Sequence, residues 1–263
     1  MLVGIVYIRF LNAGGFLSET DYKSDVHIIT EKVKSEEPIL IEGFPGIGLV
    51  GNIASQQIIE ELNMEYIGSI ESRYFPPIAV LYEGIINMPV RIYENPALNL
   101  IMVVSDIPIN PSISYDVSKA LLDWAESVNV KEIISIAGIA TMSEEPVVFG
   151  AATTEEMLER IKEKVEIFQM GTISGISGSI MAECFMRKLP AISLLGATQT
   201  QNPDPRAAAA VIKILNDFCD YSIDTESLIE QAEKIEAEMQ KLAEDVRSTE
   251  QPSSTRKEFP MYG

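Results

Sequence analysis

Three glycines near the start of the chain have the spacing of a phosphate-binding loop. Gly46, Gly48 and Gly51 form a G-x-G-x-x-G pattern that follows the apolar run 39–41 and opens a segment with helical periodicity. At such a position, backbone N–H groups and the helix dipole attract an anion, and the missing Cβ atoms let a pyrophosphate approach the backbone. Glu71 follows Gly51 at the distance of the acid that binds a ribose in this fingerprint. The pattern indicates a candidate ligand loop of a nucleotide- or nucleoside-handling enzyme.

A second interpretation of the same glycines needs no ligand. Glycine permits a sharp turn between a strand and a helix, and it lets a helix pack closely on a sheet. Pro45 lies inside the loop and removes one of the N–H groups that a phosphate would use. We therefore favour packing as the role of the glycines and keep the ligand loop as the alternative.

The other reactive side chains of the chain are few. His27 is the single histidine, and Cys184 and Cys219 are the two cysteines. His27 lies in a strand-like run and is interpreted as structural. A zinc site needs about four N or S ligands, which is more than one histidine and two cysteines can supply. The cysteines lie among apolar residues, which indicates small buried hydrophobes without a disulfide. Asp106 ends an apolar run and is either a catalytic or ribose-binding acid or, as we favour, a turn residue. We expect no catalytic residue, no metal and no cofactor.

The charge of the chain limits its partners. The formal net charge is -19 and the sequence pI is about 4.4 over 263 residues. Nucleic-acid binding needs a clustered basic face, and the sequence has no run of Lys and Arg, so no nucleic-acid partner is expected. The acidity is explained by a well-solvated surface or, as a sharper alternative, by a basic protein partner.

Apolar runs and helically periodic segments alternate along the chain. This alternation predicts an α/β fold in which a mainly parallel sheet is covered on both faces, a three-layer sandwich. A hairpin arm at 85–94 is expected at a sheet edge because Pro89 lacks an N–H group. The predicted strands lie at 26–30, 39–41, 64–71, 78–82, 99–105, 131–139 and 191–195, and the predicted helices at 49–62, 115–128, 154–165, 171–188 and 206–218.

We expect one core domain with appended ends. The predicted parts are an N-terminal extension (1–22), an α/β core domain (23–222), a C-terminal helix (223–247) and a flexible tail (248–263). Residues 1–18 are apolar but have no basic region before them, contain Arg9 and are too few to span a bilayer. They are interpreted as an edge strand or a poorly ordered extension. Because this pattern predicts neither a targeting segment nor a membrane anchor, the expected location is the cytoplasm, with no membrane contact.

Two stretches of the sequence resemble a known family. The runs G-F-P-G-I-G-L-V-G at 43–51 and R-Y-F-P-P-I-A-V-L at 73–81 resemble the archaeal members of the proteasome-assembly-chaperone family. The resemblance covers about residues 37–220. It implies an α/β fold related to nucleoside phosphorylases and a function without catalysis.

The C-terminal end has two features of its own. Apolar residues in the helix predicted from Thr225 alternate spacings of four and three, which fits either docking on its own domain or self-association of subunits. Beyond the helix, the chain ends with Met261, Tyr262 and Gly263, and this ending resembles the HbYX tail of proteasome activators. That resemblance implies a tyrosine that enters a pocket between α-ring subunits and a terminal carboxylate that meets a lysine.

Together the residues and the resemblance predict a non-enzymatic, homo-oligomeric protein. Its expected partners are the 20S proteasome α-subunits, which it would bind as an assembly chaperone or activator through its C-terminal tail. The alternative is a nucleotide- or nucleoside-handling enzyme that uses the loop at 46–51.

Overall fold

The computed structural model describes residues 25–82, 84–142, 146–199, 201–235 and 237. Eleven strands and five α-helices have defined bounds among these residues. The strands are β1 (Val26–Thr30), β2 (Ile39–Gly43), β3 (Glu65–Ser72), β4 (Val80–Tyr82), β5 (Ile85–Asn87), β6 (Val90–Asn95), β7 (Leu100–Ser105), β8 (Glu132–Ala140), β9 (Val148–Ala152), β10 (Glu166–Ile167) and β11 (Ala191–Thr198). The helices are α1 (Val50–Glu61), α2 (Ser114–Ser127), α3 (Glu155–Ile161), α4 (Gly175–Arg187) and α5 (Pro205–Cys219). Residues 226–235 are also helical.

Nine of the described strands form one mixed sheet. Their order is β1-β3-β6-β7-β2-β8-β11-β9-β10. The four central strands β7, β2, β8 and β11 are parallel, whereas β1, β3 and β6 extend the sheet on one side by antiparallel pairing. β4 and β5 pair only with each other among the described strands and form a separate hairpin. The parallel centre is the part of the sheet that the continuous apolar runs predict, since such strands are buried on both faces.

Helices cover both faces of the sheet. α2 and α4 pack on one face over a core that includes Leu40, Val103 and Ile133. α1 and α5 pack on the other face over a core that includes Ile41 and Ile134. Neighbouring residues of β2 and β8 thus point into opposite cores, as the alternation of a strand requires. The predicted three-layer α/β sandwich is confirmed.

The structure corrects three details of the sequence interpretation. β6 lies between β3 and β7 and is not an edge strand; Pro89 precedes it, and the Pro89 carbonyl accepts a hydrogen bond from the Asp106 N–H at 2.8 Å. The sequence T-T-E-E at 153–156 favours Thr153 as the N-cap of α3, with Glu156 three residues on. The N-cap is instead Thr154, whose hydroxyl accepts a hydrogen bond from the Met157 N–H. The sequence interpretation also missed β9 and β10.

The proposed domain boundaries stay predictions. Residues 1–22 and the tail 248–263 lie outside the described residues, as does most of the second half of the helix predicted at 223–247. The helix does begin as expected, because the Asp224 carboxylate accepts from the Glu226 N–H at 3.0 Å. Within the described ranges, no helix combines the length and the hydropathy that crossing a bilayer demands.

Candidate functional site

The glycine-rich loop connects β2 to α1 at the carboxyl end of the strand. It passes through a short 3-10 turn at Ile47–Leu49, where Gly48 has a φ of 62° and Leu49 a φ of 50°. A positive φ is readily adopted by glycine and strained for leucine, so the turn is held by its surroundings. The predicted passage from strand to glycine loop to helix is therefore confirmed.

Three glycines bring α1 into direct contact with the sheet. A Cβ atom on Gly43 would lie 2.2 Å from the Gly51 carbonyl oxygen. A Cβ on Gly51 would lie 2.3 Å from the Ile136 oxygen, and one on Gly138 would lie 2.0 Å from the Ile47 oxygen. All three would meet backbone atoms, which cannot rotate away. These contacts support packing as the role of Gly51.

The other two glycines of the fingerprint differ in their surroundings. Gly46 faces open space, with no heavy atom within 4 Å of an added Cβ. Gly48 faces Thr198, whose Cγ2 would lie 3.0 Å from an added Cβ, and its carbonyl accepts from the Asp204 N–H at 2.8 Å. The segment from β11 to α5 thus lies against one side of the loop.

The structure does not bring the fingerprint acid to this loop. Glu71 is on β3, and β6 and β7 lie between β3 and β2. The ligand loop at 46–51 stays a prediction, with the packing contacts of Gly48 and Gly51 as the competing explanation. Saturable nucleotide binding that a Gly48→Leu variant abolishes would support the ligand loop.

Asp106 is the partner of a buried cation. Its carboxylate forms an ion pair with the Arg91 guanidinium, whose side chain is 8% exposed, and accepts from the Gln56 amide at 3.3 Å. An unpaired buried guanidinium is costly, so this carboxylate contributes to stability. The structure therefore favours a structural role for Asp106, although the contact is to a side chain and not to the loop backbone.

A buried polar row crosses the centre of the sheet and was not predicted from the sequence. Glu42, Ser135 and Ser193 are directly paired across β2, β8 and β11, and none of the three is exposed. Ser177 of α4 is buried on the same side of the sheet. Oε1 of Glu42 and the hydroxyl oxygens of Ser135 and Ser193 have no hydrogen-bond partner within the described part of the chain.

The environment of Glu42 changes its acidity. Burial raises the pKa of Glu42 to about 7, and the nearby Ser135 and Ser177 hydroxyls offset part of that rise. A buried carboxyl favours its neutral form because the charged form loses its hydration. The only sequence indication of this group was a glutamate inside the apolar run P-I-L-I-E-G.

The histidine and the cysteines do not form a reactive group. His27 is exposed on the edge strand β1, where it lines a surface groove. Burial raises the pKa of the Cys184 and Cys219 thiols to about 12, which keeps them protonated and unreactive. The prediction that both are hydrophobe-like is supported, and both thiols are free. No group of potential metal ligands occurs among the residues that the structure describes.

Two concave surfaces lie away from the glycine loop. One, of about 600 Å³, is lined by residues of β9 and α5 together with Ile229 of the helical segment 226–235. The other, of about 670 Å³, lies beside the hairpin of β4 and β5 and includes Phe75 and Met88. Gly46, Gly48 and Gly51 line neither of them.

The C-terminal helix begins against its own domain. Leu228 and Ala232 are buried, and the Gln57 amide of α1 donates to the Asp224 carbonyl at 2.8 Å. This favours intramolecular docking for the first turns of the helix. The predicted proteasome-binding residues Met261, Tyr262 and Gly263 lie outside the described residues.

Comparisons with known proteins place this fold among proteasome-related relatives. The crystal structure of Pyrococcus furiosus PbaA, an archaeal homolog of proteasome-assembly chaperone, has a TM-score of 0.77 and 32% identity, covering 84% of this chain and 94% of PbaA. The structure of Pyrococcus furiosus PbaB, an archaeal proteasome activator, has a TM-score of 0.74 and 27% identity, covering 84% of this chain and 99% of PbaB.

Comparison of sequences also finds relatives that match most of the chain. An uncharacterized protein of Methanocaldococcus jannaschii is 38% identical over 231 residues, which cover 88% of this chain and 95% of that protein. The family model described as the PAC2 family matches residues 40–243, from β2 to beyond the start of the C-terminal helix. The resemblance found in the glycine-rich loop is therefore confirmed, and this chain belongs to the PAC2 family.

Proposed function

We propose that this protein is a non-enzymatic, homo-oligomeric, cytoplasmic partner of the 20S proteasome that acts as an assembly chaperone or activator. The observation that carries the proposal is the likeness to PbaA and PbaB, at 32% and 27% identity over most of each chain. One is named a homolog of proteasome-assembly chaperone and the other a proteasome activator. A relative that shares this fold and this identity is expected to share the class of partner.

The contact with the proteasome is assigned to the C-terminal tail. Tyr262 provides an aromatic anchor, and the carboxylate after Gly263 provides a single charge that a lysine can bind. The preceding residues 248–260 are rich in Ser, Thr, Gln and Pro, a composition that suits a tether. Several such tails on one oligomer would bind neighbouring α-subunits at once and raise avidity without new contacts.

The absence of enzymatic activity is proposed from the chemistry of the described side chains. The two thiols are kept protonated by burial, and Asp106 neutralises Arg91. The fingerprint glycines Gly48 and Gly51 are in packing contacts. These groups do not converge on one site, as the acid, base and nucleophile of an enzyme must.

Removal of the last three residues is expected to abolish binding to purified archaeal 20S proteasome. The full chain and a chain ending at Pro260 are compared in pull-downs at two salt concentrations. A Tyr262→Ala variant should lose most of the binding too, because the aromatic anchor supplies most of the contact area. The matched control is Tyr115→Ala, which removes a tyrosine that is 61% exposed on α2 and should bind as the unmodified chain does. Unimpaired binding by the chain that ends at Pro260 would refute the tail contact.

A further inference from the structure

The hairpin of β4 and β5 is an apolar arm on the surface of the protein. Four of its six strand residues are large and exposed: Leu81 by 69%, Tyr82 by 54%, Ile85 by 68% and Ile86 by 72%. Scattered exposed apolar residues are normal, but a contiguous group of this size marks an interaction surface.

Both faces of the arm expose apolar side chains. Leu81 is paired with Ile86, and Tyr82 is paired with Ile85. Since successive residues of a strand point to opposite faces, each face carries one exposed apolar pair. A two-stranded hairpin is marginally stable in water on its own, so this arm needs a surface that covers it. The Tyr82 hydroxyl of the arm donates to the Glu60 carboxylate of α1 at 2.9 Å.

An apolar groove lies directly beside the arm. It has a volume of about 670 Å³, and its lining includes Phe75, Pro76, Pro77, Ile78 and Met88. His27 and residues 71–73 line the polar side of the groove, whereas its apolar side and the arm belong to one stretch of chain, residues 74–90. One molecule therefore carries both an apolar projection and an apolar recess, which is the arrangement that a two-fold symmetric pair needs.

Charge identifies the occupant of this surface. Residues 74–90 contain one charged residue, Glu83, in a chain whose net charge is -19. Two copies of so acidic a protein repel each other over most of their surfaces, and the repulsion is weakest where charges are absent. A basic protein partner would gain nothing from this stretch, because it offers that partner a single carboxylate. A second copy of this chain fits the surface better.

We propose that residues 74–90 form a self-association surface, in which the hairpin arm of each copy lies in the groove of the other. This inference rests on the homo-oligomer of the proposed function and names its interface. It does not depend on the C-terminal tail or on the proteasome. The Leu81–Ile86 pair forms the centre of the contact, because it is the most exposed pair of the arm.

The test is sedimentation velocity of the full chain over a range of concentrations, compared with a Leu81→Asp/Ile86→Asp variant. Carboxylates buried in this apolar contact lose their hydration and are expected to raise the dissociation constant on the order of 100-fold or more. The matched control is Phe185→Asp/Met186→Asp, the same chemical change at two exposed residues of α4, which should sediment as the unmodified chain does. Circular dichroism verifies that each variant is folded.

A second measurement needs no substitution. Hydrogen exchange of the backbone amides at 80–90 should slow as the concentration of the unmodified chain rises, because association protects the arm. A full chain that is monomeric at every concentration would overturn the proposal. In that case the arm would have to be covered by residues 1–24 or by another protein. A hairpin variant that stays as large as the unmodified chain would overturn it as well. If neither the full chain nor the chain ending at Pro260 bound the proteasome, the proposed function would be refuted. The self-association measured by sedimentation would be unaffected.

Discussion

Replacing Gly43 with alanine is expected to lower the free energy of unfolding by about 3 kcal/mol, because the added methyl group has no room. An ideal Cβ at this position lies 2.0 Å from the Ser55 hydroxyl oxygen and 2.2 Å from the Gly51 carbonyl oxygen. The Ser55 hydroxyl can rotate, but the Gly51 oxygen belongs to the backbone of α1. The helix itself must therefore move away from β2. Equilibrium unfolding in urea measures the loss.

Gly46 offers a matched control in the same loop. No heavy atom lies within 4 Å of an added Cβ at Gly46, and its φ of -150° is a backbone conformation that alanine adopts. Gly46→Ala is expected to change the free energy of unfolding by less than about 0.5 kcal/mol. Equal losses in the two variants would contradict the packing account of the loop. Gly46→Ala also tests the ligand loop without a packing defect, because loss of a nucleotide signal in this folded variant would favour that alternative.

Replacing Glu42 with glutamine is expected to stabilise the protein by about 3 kcal/mol at pH 8. The pKa of Glu42 is raised by burial from 4.5 to about 7 in the folded chain. Between these pH values the folded chain holds one more proton than the unfolded chain, so the free energy of unfolding falls as pH rises. The full penalty of the buried charge is present above pH 7 and absent below pH 4.5. A shift of this size corresponds to about 3 kcal/mol, and glutamine removes it because it is neutral at every pH.

The pH profile separates this effect from a general gain in stability. Unfolding of the unmodified chain and of Glu42→Gln is measured from pH 5 to pH 8, the range that contains the raised pKa. The free energies of unfolding of the two proteins, plotted against pH, should converge at the acidic end and separate as the pH rises. The control is Glu61→Gln, which changes an exposed glutamate at the end of α1 and should keep the slope of the unmodified chain. Parallel curves for the unmodified chain and Glu42→Gln would show that Glu42 titrates as an ordinary carboxyl.

The central strands could be predicted because their burial is visible in local sequence. β2 and β7 are apolar runs bounded by turn residues, and their periodicity differs from that of the helices that follow. β9, with the sequence VFGAA, carries two alanines and a glycine and has no such contrast. It becomes a strand because it pairs with β11, whose residues lie 40 to 48 positions further along the chain. That pairing is a tertiary interaction, and no local pattern encodes it.

The position of Pro89 shows how a sound local rule can give a wrong placement. Proline lacks a donor and is excluded from the middle of a ladder, so the sequence favours an edge strand. In the structure the proline precedes β6 and uses only its carbonyl, so the following residues pair on both sides. The rule holds for the proline itself, because the predicted arm at 85–94 is divided into β5 (Ile85–Asn87) and β6 (Val90–Asn95), and Pro89 lies between them.

The polar row around Glu42 depends on strand order in the same way. Ser135 and Ser193 come beside Glu42 only because β2, β8 and β11 are neighbours in the sheet and pair in this register. The same strand order separates Glu71 from the glycine loop, although their spacing in sequence fits the dinucleotide fingerprint. Sequence spacing could identify the loop and its helix, but the residues around the loop are set by topology.

The most direct test of the proposed function is co-sedimentation of the full chain with purified archaeal 20S proteasome. The account predicts that the chain moves with the particle and that an excess of a synthetic peptide of residues 251–263 displaces it. The same peptide with alanine in place of Tyr262 should leave the complex intact. A chain that sediments separately from the proteasome at both low and high salt would contradict the assignment of this partner.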